Sequence, residues 1–140
     1  MRRARSRGYT LLEIMVVVFI LGLLATLVVP RIVGRTDEAR RTKAIADLKA
    51  IEQALNLYRI DAGGYPTTNQ GLAALVRRPE TPPVPKTWNP NGYLERVPMD
   101  PWGNALVYLS DGTRFTLRSL GADGLEGGDG NAADLDSHDF

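Results

Sequence analysis

The sequence predicts an α+β protein in which one long N-terminal helix packs on a small antiparallel β-sheet. Residues 14–30 are apolar and carry no charge, which indicates a helix in an apolar medium. Residues 37–60 repeat apolar side chains every three or four positions for most of their length, as an amphipathic helix does. Two β-prone runs flank an Asp-Gly pair at 111–112, which is a strong hairpin signal.

The apolar run is long enough to cross most of a lipid bilayer. Its seventeen residues, 14–30, rise about 26 Å as a helix, and extension to 9–33 gives a comfortable span. A cleaved secretory signal is the competing interpretation, but residues 25–27, ATL, are a poor small-x-small cleavage site. A buried core helix fits less well, because 16–21 is apolar on every face. We therefore predict a membrane-spanning helix.

Basic residues favour a cytoplasmic N-terminus for this span, because cytoplasmic flanks carry an excess of Lys and Arg. Four arginines precede it: Arg2, Arg3, Arg5 and Arg7. Four more follow it and weaken the asymmetry: Arg31, Arg35, Arg40 and Arg41. The basic residues thus favour a single-pass helix with a cytoplasmic N-terminus, but they do not decide the orientation alone.

The helix is predicted to continue amphipathically through residues 34–62 and to end at the glycine pair 63–64. Pro30 lacks a backbone donor and is expected to kink the helix or melt it locally. The alternative is two helices joined at 30–36, which changes the function little.

Residues 63–140 predict a small globular region. A short helix is expected after Thr68 or Asn69, and the proline-rich stretch 77–85 cannot be regular. Strands are expected at 105–109 and 114–120, in a sheet of two or three strands. The side chains expected to form a core between the helix and this sheet are Ile45, Leu48, Leu55, Val107, Phe115 and Leu117.

Composition excludes several functions. With 17 basic and 16 acidic residues, the chain lacks the basic excess of a nucleic-acid-binding protein. No nucleophile stands in an evident pattern with a base, so we predict that the chain is not an enzyme. His138 has no His or Cys neighbour for zinc. The absence of cysteine leaves open what fastens the C-terminal half.

The N-terminal motif carries a family resemblance. Residues 8–13, GYTLLE, followed by the apolar helix, resemble the class III signal of type IV pilins and type II secretion pseudopilins. The resemblance implies that a prepilin peptidase cuts between Gly8 and Tyr9 and that the new amine on Tyr9 is methylated. Loss of the leader, 1–8, removes four arginines and leaves 13 basic against 16 acidic residues. Glu13 and Pro30 then match the assembly glutamate and the helix-kinking proline of that family.

Three further motifs extend the resemblance along the chain. Residues 61–72, DAGGYPTTNQGL, together with 100–104, DPWGN, and 119–124, SLGADG, resemble the signature of major pseudopilins. This implies a structural subunit that polymerises into the periplasmic pseudopilus of a type II secretion machine and helps drive folded exoproteins across the outer membrane. The implied location is the bacterial inner membrane, with residues 63–140 in the periplasm.

The resemblance also implies partners: other copies of the chain, the prepilin peptidase, minor pseudopilins and an inner-membrane assembly platform. A type IV pilin for adhesion, motility or DNA uptake is the alternative. The missing disulfide disfavours it, because such pilins usually close a longer C-terminal sheet with one. The third class, a membrane-tethered enzyme or binding module, has no catalytic constellation to support it.

The C-terminal residues 123–140 hold six carboxylates and no Lys or Arg. Taken alone, they fit a solvated acidic tail slightly better than a calcium loop, and their spacing is not that of an EF-hand. The resemblance reverses that order and implies one bound calcium. By that resemblance Asp123 and Asp134 supply carboxylates, and Leu120 and Leu125 supply carbonyl oxygens. Asp129 and Asn131 are secondary candidates, whereas Glu126, Asp136 and Asp139 are expected to face solvent.

Overall fold

The N-terminal helix is the longest element of the protein. The computed structural model describes the backbone of residues 9–140, and the side chains of 9–26 and 36–140. Helix α1 is Leu11–Ala62. It begins beside Thr10, whose Oγ1 accepts a hydrogen bond from the Glu13 N–H at 3.2 Å. It ends as predicted at Gly63, which has φ +83° and whose N–H donates to the Arg59 carbonyl at 2.9 Å.

The first compact unit is Met1–Asp37, of which residues 9–37 are described. The large apolar side chains in its described part are about half exposed or more, from 81% for Leu11 to 48% for Val16. Among the described residues, no helix combines the length and the hydropathy that a membrane crossing requires. Helix α1 is assigned without a break through Pro30, so the described backbone contains neither local melting there nor two helices joined at 30–36.

The second compact unit, Glu38–Phe140, is built on the C-terminal part of α1. Its buried helix positions recur at intervals of three or four residues, as the amphipathic pattern predicted. These positions are Ala44, Leu48, Ile51, Ala54, Leu55 and Tyr58. They belong to one core cluster with Leu72 and Leu75, from the 3-10 helix Leu72–Leu75, and with the sheet residues Leu117 and Leu135.

The sheet has three antiparallel strands in the order β1-β2-β3. Strand β1 is Val107–Ser110, β2 is Phe115–Ser119 and β3 is Leu135–Asp136. The predicted hairpin is confirmed, with Ser110 opposite Phe115. Strand β3 pairs Leu135 with Ser119, which brings the acidic C-terminal part of the chain onto the sheet.

The predicted core is largely confirmed. Leu48, Leu55 and Leu117 are fully buried, Phe115 is buried, and Ile45 packs partly buried against the cluster. Val107 was the wrong choice, because Tyr108 takes the inward position of β1 and Val107 is only half-buried. Adjacent strand residues face opposite sides, so a shift of one position changes the buried residue. The buried Tyr108 hydroxyl donates to the Pro66 carbonyl at 2.7 Å.

Two local expectations differ from the structure in extent. The short helix expected after Thr68 or Asn69 is a turn followed by the four-residue 3-10 helix Leu72–Leu75. The strands are shorter than predicted, because β1 begins at Val107 and β2 at Phe115. The proline-rich stretch 77–85 contains neither helix nor strand, as expected.

Candidate functional site

The start of α1 presents the predicted processing and assembly residues. Tyr9 is 80% exposed and Glu13 is exposed. Thr10 and Glu13 are spaced as in a capping box, and the Thr10 side chain caps the helix. No cation of the described residues forms an ion pair with the Glu13 carboxylate within this copy. The peptide bond after Gly8 lies outside the described residues.

The C-terminal loop, residues 120–134, connects β2 to β3 and folds back on itself. A Cβ on Gly121 would lie 2.9 Å from the Ala132 carbonyl oxygen, and one on Gly128 would lie 2.5 Å from the same atom. Both residues also have positive φ, +68° and +82°. Only glycine combines this backbone conformation with such a close approach. The glycines therefore give the loop its compact course.

The predicted calcium ligands differ in their surroundings. Asp134 is half-buried, and its buried Oδ1 has no hydrogen-bond partner. Asp123 is exposed, and its Oδ1 accepts from the Leu125 N–H at 3.1 Å. Leu120 is half-buried, whereas Leu125 is 67% exposed. The secondary candidates Asp129 and Asn131 are both exposed.

The described part of the chain contains no group of three or more His, Cys, Asp or Glu residues that could hold a metal ion. A calcium ion here would therefore depend on two carboxylates at most and on carbonyl oxygens. Such a donor set suits Ca²⁺, which accepts backbone carbonyls readily. The unpartnered buried Oδ1 of Asp134 is an acceptor that a cation would satisfy. On this observation the loop fits the implied ion.

Two arginines that the sequence interpretation left aside contact this loop. Arg118 on β2 lies 3.7 Å from Asp134 and 3.6 Å from Glu126. Arg41 on α1 donates from Nη1 to the Gly130 carbonyl at 3.2 Å. The acidic residues 123–140, which include no Lys or Arg, indicate that the loop pairs with cations from elsewhere in the chain. The sequence alone does not show which arginines lie near the loop. These cations hold the loop against the helix and the sheet.

The DPWGN motif forms a second support for the C-terminal loop. Asp100 is 5% exposed, and its Oδ1 accepts from the Trp102 N–H at 3.1 Å and the Asn104 N–H at 2.7 Å. Its Oδ2 accepts from the Ser119 hydroxyl at 2.8 Å. Asn104 Nδ2 then donates to the Gly121 carbonyl at 2.9 Å. Ser119 is 0% exposed, so this carboxylate–hydroxyl pair holds structure together and cannot reach a substrate.

Comparisons with known proteins agree with this arrangement. A family model described as type II secretion system (T2SS), protein G, matches residues 31–138. A second, described as the prokaryotic N-terminal methylation motif, matches residues 3–29. Together, the methylation motif and the helix-on-sheet fold define a protein of the pilin-like class.

The particular family follows from the first match and from similar relatives. A type II secretion system core protein G of Pseudomonas aeruginosa is 54% identical over 141 residues, covering 99% of both chains. The type II secretion system core protein G of Vibrio cholerae is 50% identical over 138 residues, covering 96% of this chain and 94% of the relative. The chain belongs to the type II secretion system protein G family.

A solved structure supports the fold. It is titled as the major pseudopilin from the type 2 secretion system of enterohaemorrhagic Escherichia coli. It superposes with a TM-score of 0.65 at 39% identity, covering 74% of this chain and 86% of that one. The resemblance inferred from the motifs is confirmed.

Proposed function

We propose that the chain is the major pseudopilin subunit, which polymerises into the periplasmic pseudopilus of a type II secretion machine. The proposal rests on one observation: two family models match successive parts of the chain. The methylation motif matches residues 3–29, and protein G of the type II secretion system matches residues 31–138. The first match supports the proposed processing of the subunit, and the second supports the proposed machine. In that machine the growing filament helps drive folded exoproteins across the outer membrane.

Processing is the first step of the proposed assembly. A prepilin peptidase cuts between Gly8 and Tyr9 and methylates the new amine, and the apolar helix stays attached and anchors the subunit in the inner membrane. The N-terminus then faces the cytoplasm and residues 63–140 face the periplasm. Exposed apolar side chains along residues 11–24 support this step, because they need a covering of lipid or of neighbouring helices.

Glu13 is proposed to select the position of each new subunit. An ionised carboxylate is costly in an apolar layer unless it meets a cation. Its exposure and lack of an ion pair among the described residues leave it available to a second copy. The amine of Tyr9 in a neighbouring, axially shifted copy supplies that cation. Minor pseudopilins and the inner-membrane assembly platform are the further partners of this step.

The N-terminal mass and sequence of the cellular protein test processing. We expect a chain that begins at a methylated Tyr9. A chain that begins at Met1, or that lacks the apolar segment, would contradict the proposal. In a strain that lacks its own copy, the gene should restore secretion of extracellular enzymes. Restored adhesion or motility without secretion would instead support the type IV pilin alternative.

Glu13→Ala tests the assembly role. We expect normal cleavage after Gly8 and a loss of at least tenfold in sheared filaments. Glu38→Ala is the matched control, since Glu38 is an exposed glutamate on the same helix. Filament yields that are equal in the two variants would show that the charge of Glu13 has no special part in assembly.

Calcium is proposed to secure the C-terminal loop in the place of a disulfide, since the chain has no cysteine. Asp134 and Asp123 would supply carboxylates, and Leu120 and Leu125 would supply carbonyl oxygens. The unpartnered Asp134 oxygen supports this ligand set. When bound, the ion would add positive charge beside Arg118 and join distant parts of the loop.

Melting of the full-length chain in detergent tests the calcium proposal. We expect a chelator to lower the melting temperature and to expose residues 120–140 to proteases. Asp134→Asn should abolish the calcium response, whereas Asp139→Asn, at an exposed position, should retain it. Melting that ignores both calcium and the chelator would overturn the proposal.

A further inference from the structure

A small pocket beside the C-terminal end of α1 carries an unusual set of charges. We name it the arginine pocket, and its volume is about 260 Å³. Its lining residues are Arg59, Tyr65, Thr113, Arg114, Phe115 and His138. They include two guanidinium groups and no carboxylate. Another surface pocket differs in this respect, since Glu80 balances its arginines.

Neither arginine of the pocket has an ion-pair partner among the described residues. Arg59 Nη1 donates to the Tyr65 hydroxyl at 3.2 Å, and its guanidinium carbon lies 5.3 Å from the centre of that ring. The backbone of Arg114 is held in the hairpin turn, because its N–H donates to Asp111 Oδ1 at 2.8 Å. No carboxylate of the described residues forms an ion pair with either arginine. Two cations that line one pocket without an ion-paired carboxylate among the described residues form a site for an anion.

Three of the residues that line the pocket are aromatic. The rings of Tyr65 and Phe115 lie 4.8 Å apart, and those of Phe115 and His138 lie 5.3 Å apart. The Nε2 atom of His138 lies 3.0 Å from the Phe115 carbonyl, which fixes the orientation of the imidazole. The rings are inclined to one another, by 69° for Tyr65 and Phe115 and by 41° for Phe115 and His138, so they line the pocket without forming a flat surface. An aromatic lining together with two cations fits a carboxylate that is carried on a short methylene stem. A glutamate side chain has this form.

We propose that the arginine pocket binds a carboxylate of the acidic loop 123–129 from a second copy of this chain. The proposal rests on the proposed function, because it needs copies that polymerise. Charge complementarity supports the choice of partner, since residues 123–129 hold three carboxylates and no Lys or Arg. Arginine can bind a carboxylate through two parallel hydrogen bonds, which gives the contact a defined geometry.

Glu126 is the carboxylate with which to test the contact. Its side chain is 74% exposed, and its ion pair within its own copy, with Arg118 at 3.6 Å, is long. It is not among the proposed calcium ligands, so changing it leaves that ligand set intact. The pocket would thereby join the C-terminal loop of one subunit to the hairpin of the next.

Cysteine cross-linking in assembled filaments tests the proposal. The full chain contains no cysteine, so introduced thiols are the only ones present. Thr113→Cys and Leu125→Cys are placed in separate, co-expressed copies, and both positions are exposed. We expect disulfide-linked dimers in sheared filaments. Asn69→Cys replaces Thr113→Cys in the control, because Asn69 is exposed and lies outside the arginine pocket.

A charge swap makes the test specific. Arg114→Glu and Glu126→Arg should each lower the dimer yield about tenfold, which corresponds to roughly 1.4 kcal/mol. The two changes together should restore the yield. Arg114 is exposed, so its substitution should leave the melting temperature of the subunit unchanged. This control separates loss of contact from loss of fold.

The outcomes distinguish this proposal from the proposed function. Filaments that form normally but give no more dimer than the Asn69 control would overturn the contact alone. Failure of the charge swap to restore dimers would do the same. If neither the unmodified chain nor the cysteine variants form filaments in a competent strain, the proposed function fails, and this contact fails with it.

Discussion

Replacing Asp100 by alanine is expected to destabilise the unit Glu38–Phe140 strongly, although Asp100 lies outside the helix and the sheet. Asp100 is 5% exposed, and its carboxylate accepts three hydrogen bonds, from two backbone N–H groups and the Ser119 hydroxyl. A buried donor that loses its partner costs about 1 to 3 kcal/mol. Relief from burying the carboxylate offsets part of this cost, so we expect a loss of about 3 kcal/mol.

Thermal unfolding of the full-length chain in detergent, followed by circular dichroism, measures this effect. For a unit of about 100 residues, a loss of about 3 kcal/mol corresponds to a fall of roughly 12 to 24 °C in Tm. Asp100→Asn keeps one acceptor oxygen for the two N–H groups, so its effect should be about half as large. Ser119→Ala removes one of the three bonds and should fall between the wild type and Asp100→Ala.

Asp111→Ala is the matched control. Asp111 Oδ1 also accepts three hydrogen bonds, from the Thr113 N–H, the Thr113 hydroxyl and the Arg114 N–H. Asp111 is exposed, however, so water can replace the carboxylate as the partner of these donors. We expect a much smaller change in Tm than for Asp100→Ala. Equal changes in the two variants would refute the argument that burial makes the Asp100 contacts valuable.

Three other predictions follow from the same structure. Leu48→Ala should lower the free energy of unfolding by about 2 to 5 kcal/mol, because Leu48 is fully buried. Leu57 lies on the same helix but is 56% exposed, so Leu57→Ala should have a far smaller effect in the same melting assay. Burial raises the pKa of the Tyr108 hydroxyl to about 12. The neutral hydroxyl therefore contributes its full stabilisation below pH 10, and this stabilisation is lost as the pH rises through about 12. Phenolate absorbance should show a late ionisation step that Tyr108→Phe removes. Gly128→Ala should loosen the C-terminal loop more than Gly127→Ala in a proteolysis assay, because both have positive φ but only a Cβ at 128 meets the Ala132 carbonyl.

The sequence by itself determined the elements whose signals are local. The apolar and then amphipathic periodicity predicted α1, and the Asp-Gly pair predicted the β1–β2 hairpin, because neighbouring residues alone decide these patterns. The motif at 8–13 and the motifs farther along identified the family by the same local means. Burial of Leu48, Leu55 and Leu117 also followed from periodicity.

The tertiary structure decided what depends on distant parts of the chain. Tyr108, and not Val107, is the inward residue of β1, because the register of the strand determines which side chain is buried. The tertiary structure joined Asp100 to Ser119 and Arg41 to the loop at Gly130, contacts that are 19 and 89 residues apart in sequence. It also brought Arg59 from the helix together with Arg114 from the hairpin. Packing selects such pairs, and no local pattern specifies them.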